Sequence, residues 1–220
     1  MSDKCVMFGL TDFAKMVRHC VEKFTNKRIV AYIVDERYKT EEFFDGLPVV
    51  AFEHVQELYP ADEYSFFIGL GYSKMNNVRK QKFYEVKQMG YKIESFVHPQ
   101  AVRDDTFELG EGNIIFENVV LGYNAKIGNG NIIWNSCNIS HESIVGDFNH
   151  FSGSTTLGGK TVIKNNCFFG MGSIIRGDRV IEDYTLVGAG CFINKNTKPY
   201  GVYVPARIVC LEDKVSTDMM

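Results

Sequence analysis

The sequence predicts an α/β domain followed by a parallel β-helix, an expectation carried by two periodicities and the boundary between them. Residues 1–97 alternate short apolar runs with helical patterns, the order that builds a small parallel sheet of the doubly wound type. From Leu109 onward an aliphatic residue or Phe recurs every sixth position, the signature of stacked β-helix coils. His98-Pro99 marks the change of regime.

In chain order, residues 5–8 form a first apolar strand ending at Gly9. Asp12 is placed to cap a helix carrying Phe13, Met16, Val17, Cys20, Val21 and Phe24 on one face. Residues 28–34 are a second strand, ending at Asp35; residues 53–58 a short helix closed by Pro60; residues 64–70 a third strand closed by Gly71. Residues 74–89 read as a charged helix with a solvated face, stopping at Gly90, and residues 91–97 as a fourth strand.

The period of six runs through Leu109, Ile115, Leu121, Ile127, Ile133, Ile139, Val145, Phe151, Leu157, Ile163, Phe169, Ile175, Ile181, Val187 and Ile193. Chance does not produce this run at a background of roughly a quarter to a third for these residue types. Four residues after most of them sits a small or short polar residue, such as Ala125, Ser143 or Thr161. A large side chain every six residues fills a prism, and small residues near the corners let the chain turn. Gly and Asn crowd the corners, because both tolerate positive φ. Three hexads make a coil, so the run gives about five coils, stacked at about 4.8 Å into a column roughly 24 Å long.

Composition bounds the function classes. The 220 residues carry a formal net charge of −3, with 45% hydrophobic and 23% charged residues. That balance gives no electrostatic reason to expect nucleic acid or a membrane surface as partner. No apolar run reaches the roughly 18 residues of a membrane span. The start of the chain lacks a signal-peptide pattern, so a cytoplasmic location is expected. Six cysteines form no C-x-x-C pair; they read as reduced, interior thiols.

Residues 18 apart stack vertically in such a column. His141 then lies at a corner, pointing outward, with Tyr123 one coil before it and Gly159 one coil after. A histidine beside a glycine has open space and an exposed backbone N–H next to it, which suits a general base near an oxyanion donor. Glu142 is placed to hold the imidazole in one tautomer. His150 follows half a coil later. Gly153, Met171 and Ala189 form another vertical row, a shallow strip for an extended ligand.

The run His141-Glu142-Ser143-Ile144-Val145-Gly146-Asp147-Phe148-Asn149-His150, with Gly158-Gly159 beyond, resembles the bacterial nucleotide-sugar acetyltransferases of the sialic-acid O-acetyltransferase-like, hexapeptide-repeat family. The resemblance covers nearly the whole chain. It implies a left-handed hand for the β-helix, over residues 98–220, and a Rossmann-like, nucleotide-sugar-binding domain over residues 1–97. It implies an acetyl-CoA-dependent N-acetyltransferase acting on a nucleotide-linked aminosugar, notably a 4-amino-4,6-dideoxy sugar, in surface-glycan (O-antigen) biosynthesis. Acetyl-CoA is then the co-substrate, no metal takes part, and homotrimers hold each site between subunits.

Residue by residue, the resemblance makes His141 the base, oriented by Glu142. His150 and Gly159 contact the acetyl group, and Met171 and Ala189 line the pantetheine channel. Pro205 and Arg207 belong to the closing element near the coenzyme. Gly9, Thr11, Asp35, Glu36, Gly71 and Ser73 line the nucleotide pocket. Trp134 occupies a corner where it either stacks on the sugar or fills a subunit interface. The first loop departs from the family's Gly-x-x-Gly-x-Gly, reading Gly9-Leu10-Thr11-Asp12-Phe13-Ala14, so how phosphates are held is left open.

Three other functions compete. Sugar O-acylation uses the same base and donor. A metal-dependent hydratase needs three gathered histidines, and the coils hold only His141 and His150 with His98 ahead of them. A non-catalytic β-helix binding protein has no need of His141, Glu142 and Gly159 in register.

Overall fold

The computed structural model describes residues 3–206. Five strands form the N-terminal sheet: β1 (Lys4–Phe8), β2 (Arg28–Val34), β3 (Phe43–Phe44), β4 (Leu47–Ala51) and β5 (Ser65–Ile68), in the order β3-β4-β2-β1-β5. β1, β2, β4 and β5 run parallel. β1 is central, and Cys5 to Phe8 are buried, as a strand covered on both faces requires. The antiparallel edge β3–β4 is a hairpin through Asp45-Gly46, both at positive φ, the turn that an Asp-Gly pair favours.

Helix α1 (Asp12–Phe24) follows β1 and buries Ala14, Val17 and Val21. Its cap is Thr11 rather than Asp12. The Thr11 hydroxyl accepts from the Ala14 N–H at 3.0 Å and donates to the Gly69 carbonyl at 3.1 Å, satisfying one orphan donor of the first turn. Gly69 lets this helix approach, because a Cβ there would lie 2.6 Å from that of Ala14. The short helix α2 (Val55–Leu58) is preceded by a 3₁₀ turn.

Helix α3 (Asn77–Gln88) starts three residues later than its sequence pattern suggests. Lys74, Met75 and Asn76 all adopt left-handed φ, at 50°, 51° and 66°. Tertiary hydrogen bonds hold them there: Asn76 Nδ2 donates to the Cys167 carbonyl, and Asn166 Nδ2 to that of Met75, each at 3.1 Å. Nor is α3 simply a solvated helix, because Arg79 is 2% exposed. Its guanidinium donates to the carbonyls of Gly71, Gly130 and Asn149 at 2.6, 2.9 and 3.2 Å. Burial pulls its pKa down to about 9, which still leaves it charged near neutrality. The expected fourth strand divides: Ile93 makes one isolated bridge to Phe66, while Phe96–Val97 pairs with Ile114–Ile115.

Beyond that point the chain winds as a left-handed β-helix. Two-residue strands stack at an 18-residue register into three parallel sheets of seven, six and five rungs. Phe96–Val97 and Val102–Arg103 add rungs before Leu109, and Val202–Tyr203 adds one after Ile193. From Ile115 to Ile193 all the period-six residues are buried in one continuous core, each contributing roughly 1.5–3 kcal/mol. From Gly112 to Gly190 every sixth residue has φ between +53° and +69°, so the prism turns by one repeated left-handed corner. Asn113, Asn131 and Asn149 form a buried ladder, each Oδ1 accepting the backbone N–H one coil up at 2.8–2.9 Å.

The seven-rung sheet is the face against which the N-terminal domain packs. Phe116 and Trp134 meet Phe13 of α1, and Phe148 meets Phe83 and Tyr84 of α3. Arg79→Met removes the guanidinium from three carbonyls at this junction; that of Asn149 keeps the Ile132 N–H, and those of Gly71 and Gly130 lose the side-chain donor. Urea unfolding should then show a loss of about 3 kcal/mol, at about 1–3 kcal/mol per unsatisfied buried group. A loss under about 0.5 kcal/mol, within the range of an ordinary surface substitution, would contradict the structural weight given to Arg79.

Candidate active site

His141 sits at the corner between the strands Asn138–Ile139 and Ile144–Val145. Its side chain is 58% exposed, and Nδ1 lies 3.4 Å from Glu142 Oε2. An Nδ1–H facing that carboxylate leaves Nε2 with a free lone pair. Nε2 faces Gly159: a Cβ built on Gly159 would collide with Nε2 and Cε1 of the ring. Among the described residues the Gly159 N–H has no hydrogen-bond partner, while its carbonyl accepts from Asp178 N–H at 3.0 Å. Lys160, one coil above Glu142, brings Nζ to 3.7 Å from the same carboxylate oxygen. The sequence reading missed Gly177, which extends the bare strip to a second coil. Its signal was present, since it lies 18 residues after Gly159.

A corner between two sheets of a prism lies opposite the third sheet. His141 therefore lies across the prism from the seven-rung sheet that carries His150, and one chain does not bring the two histidines together. His150 is 4% exposed. It stacks on Phe168 at 5.1 Å, with Tyr72 edge-on at 5.0 Å and Trp134 at 6.4 Å. Its Nδ1 is buried and has no hydrogen-bond partner among the described residues. Burial first, and the Arg79 guanidinium second, hold its pKa down at about 3, so it is neutral throughout the physiological range.

The expected coenzyme row lies on a different corner. Met171 is 66% exposed, Ala189 is exposed one coil above it, and Pro205 packs beside Gly188. Arg207 lies outside the described residues. Between this corner and that of His141 runs the six-rung sheet. Its outward positions, Val102, Val120, Asn138, Thr156, Ile174 and Phe192, are all uncharged.

Gly9, Thr11 and Asp35 come together in a cleft of ≈ 370 Å³, at the carboxyl ends of β1, β2 and β5, the usual ligand crevice of an open parallel sheet. Lys82, which the sequence reading missed, lines the same cleft and pairs with Asp35 and Glu85. Burial alone would lower its pKa; the two carboxylates outweigh that and raise it. Gly9 needs its φ of +117°, and a Cβ there would press on the Gly69 carbonyl at 2.9 Å. Glu36 is exposed beside the cleft, its N–H held by Glu53 at 2.9 Å. Gly71 and Ser73 lie on the loop that leaves the cleft toward the prism. Trp134 is no free corner residue. Its indole stacks on Phe116 at 4.8 Å and tilts against Phe13.

Among the described residues, Cys5, Cys20, Cys137, Cys167 and Cys191 are free thiols. Burial pushes Cys137 up to about 11 and Cys167 up to about 12, so neither is a thiolate nucleophile at neutral pH. No three His, Cys, Asp or Glu side chains among the described residues gather as a metal site. No helix there is long and apolar enough to cross a membrane.

The comparisons with known proteins agree with this architecture. Residues 4–86 match the PglD N-terminal domain, and residues 160–195 match the bacterial transferase hexapeptide, six repeats. The two matches fall on the two halves of the chain, a PglD-like N-terminal domain and a hexapeptide-repeat segment. Among curated proteins no sequence matches the chain.

Solved structures share the fold. A point mutant of perosamine N-acetyltransferase from Caulobacter crescentus, in complex with CoA and GDP-perosamine, superposes with a TM-score of 0.84 at 21% identity, over 92% of this chain and 93% of that one. The acetyltransferase domain of PglB from Neisseria gonorrhoeae FA1090 gives 0.81 at 18% identity, over 93% and 97%. WeeI from Acinetobacter baumannii AYE gives 0.79 at 22%, over 93% and 99%.

His150 gives a measurable signature. An unfolded histidine takes up a proton near pH 6.5 and the folded one only near 3. Between those values the unfolded state binds more protons, so stability is full above pH 6.5 and falls as pH drops. His150→Phe should flatten the loss of stability between about pH 6.5 and 3 in urea titrations. An unchanged slope would contradict the buried, neutral histidine.

Proposed function

We propose that this chain is an acetyl-CoA-dependent N-acetyltransferase acting on the amine of a nucleotide-linked amino-dideoxy sugar, a 4-amino-4,6-dideoxyhexose, in surface-glycan biosynthesis. The observation that carries the reading is the His141 corner: an Nε2 facing Gly159, a carboxylate at Nδ1, and beside the ring a Gly159 N–H with no partner among the described residues. Support comes from the CoA and GDP-perosamine bound to a protein of the same fold. Residues 1–97 take the nucleotide sugar in the cleft of Gly9, Thr11 and Asp35, and residues 98–220 carry the transfer site. Acetyl-CoA lies along Met171, Ala189 and Pro205, and the reaction runs in the cytoplasm.

The neutral sugar amine attacks the thioester carbonyl while His141 Nε2 accepts its proton. The Gly159 N–H stabilises the developing oxyanion. The carbon–sulfur bond then breaks, and the imidazolium returns the proton to the departing thiolate, leaving an amide and free coenzyme A. No covalent acyl-enzyme is required.

Because His141 lies across the prism from the face that carries the N-terminal domain, a complete site needs a second copy. The uncharged outer row of the six-rung sheet is suited to burial between copies, and a homotrimer, closed by three such contacts, satisfies both requirements.

The test is thiol release from acetyl-CoA with a panel of GDP-, UDP- and dTDP-linked 4-amino and 3-amino sugars. Release that depends on one aminosugar, and falls by about 10²- to 10⁴-fold in His141→Ala, is expected. Full turnover in that variant would reject His141 as the base. Release with a hydroxyl sugar alone would redirect the reading to O-acylation. Gly159→Ala should cost about 10²-fold in kcat by displacing the imidazole, with the thermal midpoint nearly unchanged. Wild-type turnover in that variant would show that the glycine only turns the chain.

A further inference from the structure

The loop between β5 and α3 starts and ends at the cleft, since Leu70 and Val78 both line it. Between them the loop reaches the prism and places the Tyr72 ring 5.0 Å from both His150 and Phe168. It is held rigidly. Lys74, Met75 and Asn76 are all left-handed, the Asn76 and Asn166 side chains tie it to the prism, and Arg79 grips the Gly71 carbonyl. Strain of this kind persists only where the surroundings over-determine it, and it clusters at ligand sites.

Tyr72 itself is 58% exposed, and among the described residues its hydroxyl has no hydrogen-bond partner. A residue serving only to pack the junction is expected to be buried, as Phe83 and Phe148 are. Behind the ring, His150 contributes an apolar wall, its Nδ1 buried and without a partner among the described residues.

We propose that Tyr72 is a specificity-determining residue that walls the acceptor-sugar subsite, receiving the apolar C–H face of a deoxyhexose whose nucleotide occupies the cleft. The inference rests on the function proposed above. A ligand seated by its nucleotide and extending toward the prism passes this loop. An aromatic ring with a free hydroxyl matches a sugar, which has an apolar face and a polar rim. A loop already fixed by the fold loses little further entropy on binding.

The experiment is calorimetric titration of the full-length wild type, Tyr72→Ala and Tyr72→Phe, without acetyl-CoA. Each is titrated with GDP, UDP and dTDP, and with the corresponding nucleotide-linked 4-amino-4,6-dideoxyhexoses. Tyr72→Ala should bind the sugar-linked ligand about five- to tenfold more weakly and the bare nucleotide equally, while Tyr72→Phe binds both within about twofold of wild type. Equal weakening of bare and sugar-linked nucleotide would make Tyr72 a packing residue and overturn the inference. Unchanged affinity for both in Tyr72→Ala would do the same, leaving the proposed function standing. Failure of the wild type to bind any nucleotide sugar would overturn both together.

Discussion

Everything in the C-terminal half depends on one geometric constraint, the 18-residue vertical register of the prism. It is set by an inward side chain and an outward left-handed corner, each repeating every sixth residue from Gly112 to Gly190. A one-residue slip would turn the Ile and Leu row toward water, so the register is enforced by the whole core rather than by any local contact. Because it holds, Gly159 lies above His141 and Lys160 above Glu142. The site needs no loop to assemble it. The steric fit of an imidazole against a bare glycine follows from the same stacking that builds the column.

The second organising feature is the junction between the halves. Arg79 is a fully buried cation whose described partners are three backbone carbonyls, from the β5–α3 loop and from two coils of the prism. Hydrogen bonds to a charged donor are stronger than neutral ones, and here they offset part of the cost of burial. The same junction holds His150 neutral and keeps the β5–α3 loop in place. It also fixes the cleft on one side of the prism while His141 stands on the opposite corner. That arrangement leaves the cleft and the His141 corner of a single chain facing away from each other.

Much of this was legible in the sequence because the relevant signals are local and periodic. The hexads predict the prism, and vertical stacking alone places Gly159 against His141. The parallel strands of the N-terminal sheet followed from apolar runs. The parts that escaped notice depend on contacts between distant residues. Nothing local distinguishes Arg79 from the other charges of α3, and its burial arises from Gly130 and Asn149. The left-handed turn at Lys74–Asn76 overrides a helical pattern through Cys167 and Asn166. Trp134 is expected from the sequence either to stack on a sugar or to fill a subunit interface; within the chain its ring lies against Phe13 and Phe116. The β3–β4 hairpin carries the Asp45-Gly46 turn signal, but a two-residue β3 gives no periodic pattern beside it.

Subunit complementation tests the proposed two-copy site most directly. Chains carrying His141→Ala are co-assembled with chains whose nucleotide cleft is blocked by Gly9→Val, after each variant is shown to fold and to be inactive alone. A site built from two copies predicts that mixed oligomers regain transfer, with about a quarter of the sites restored at equal mixing in a closed ring. Mixed oligomers as inactive as either parent would contradict it, and would place the complete site within one chain.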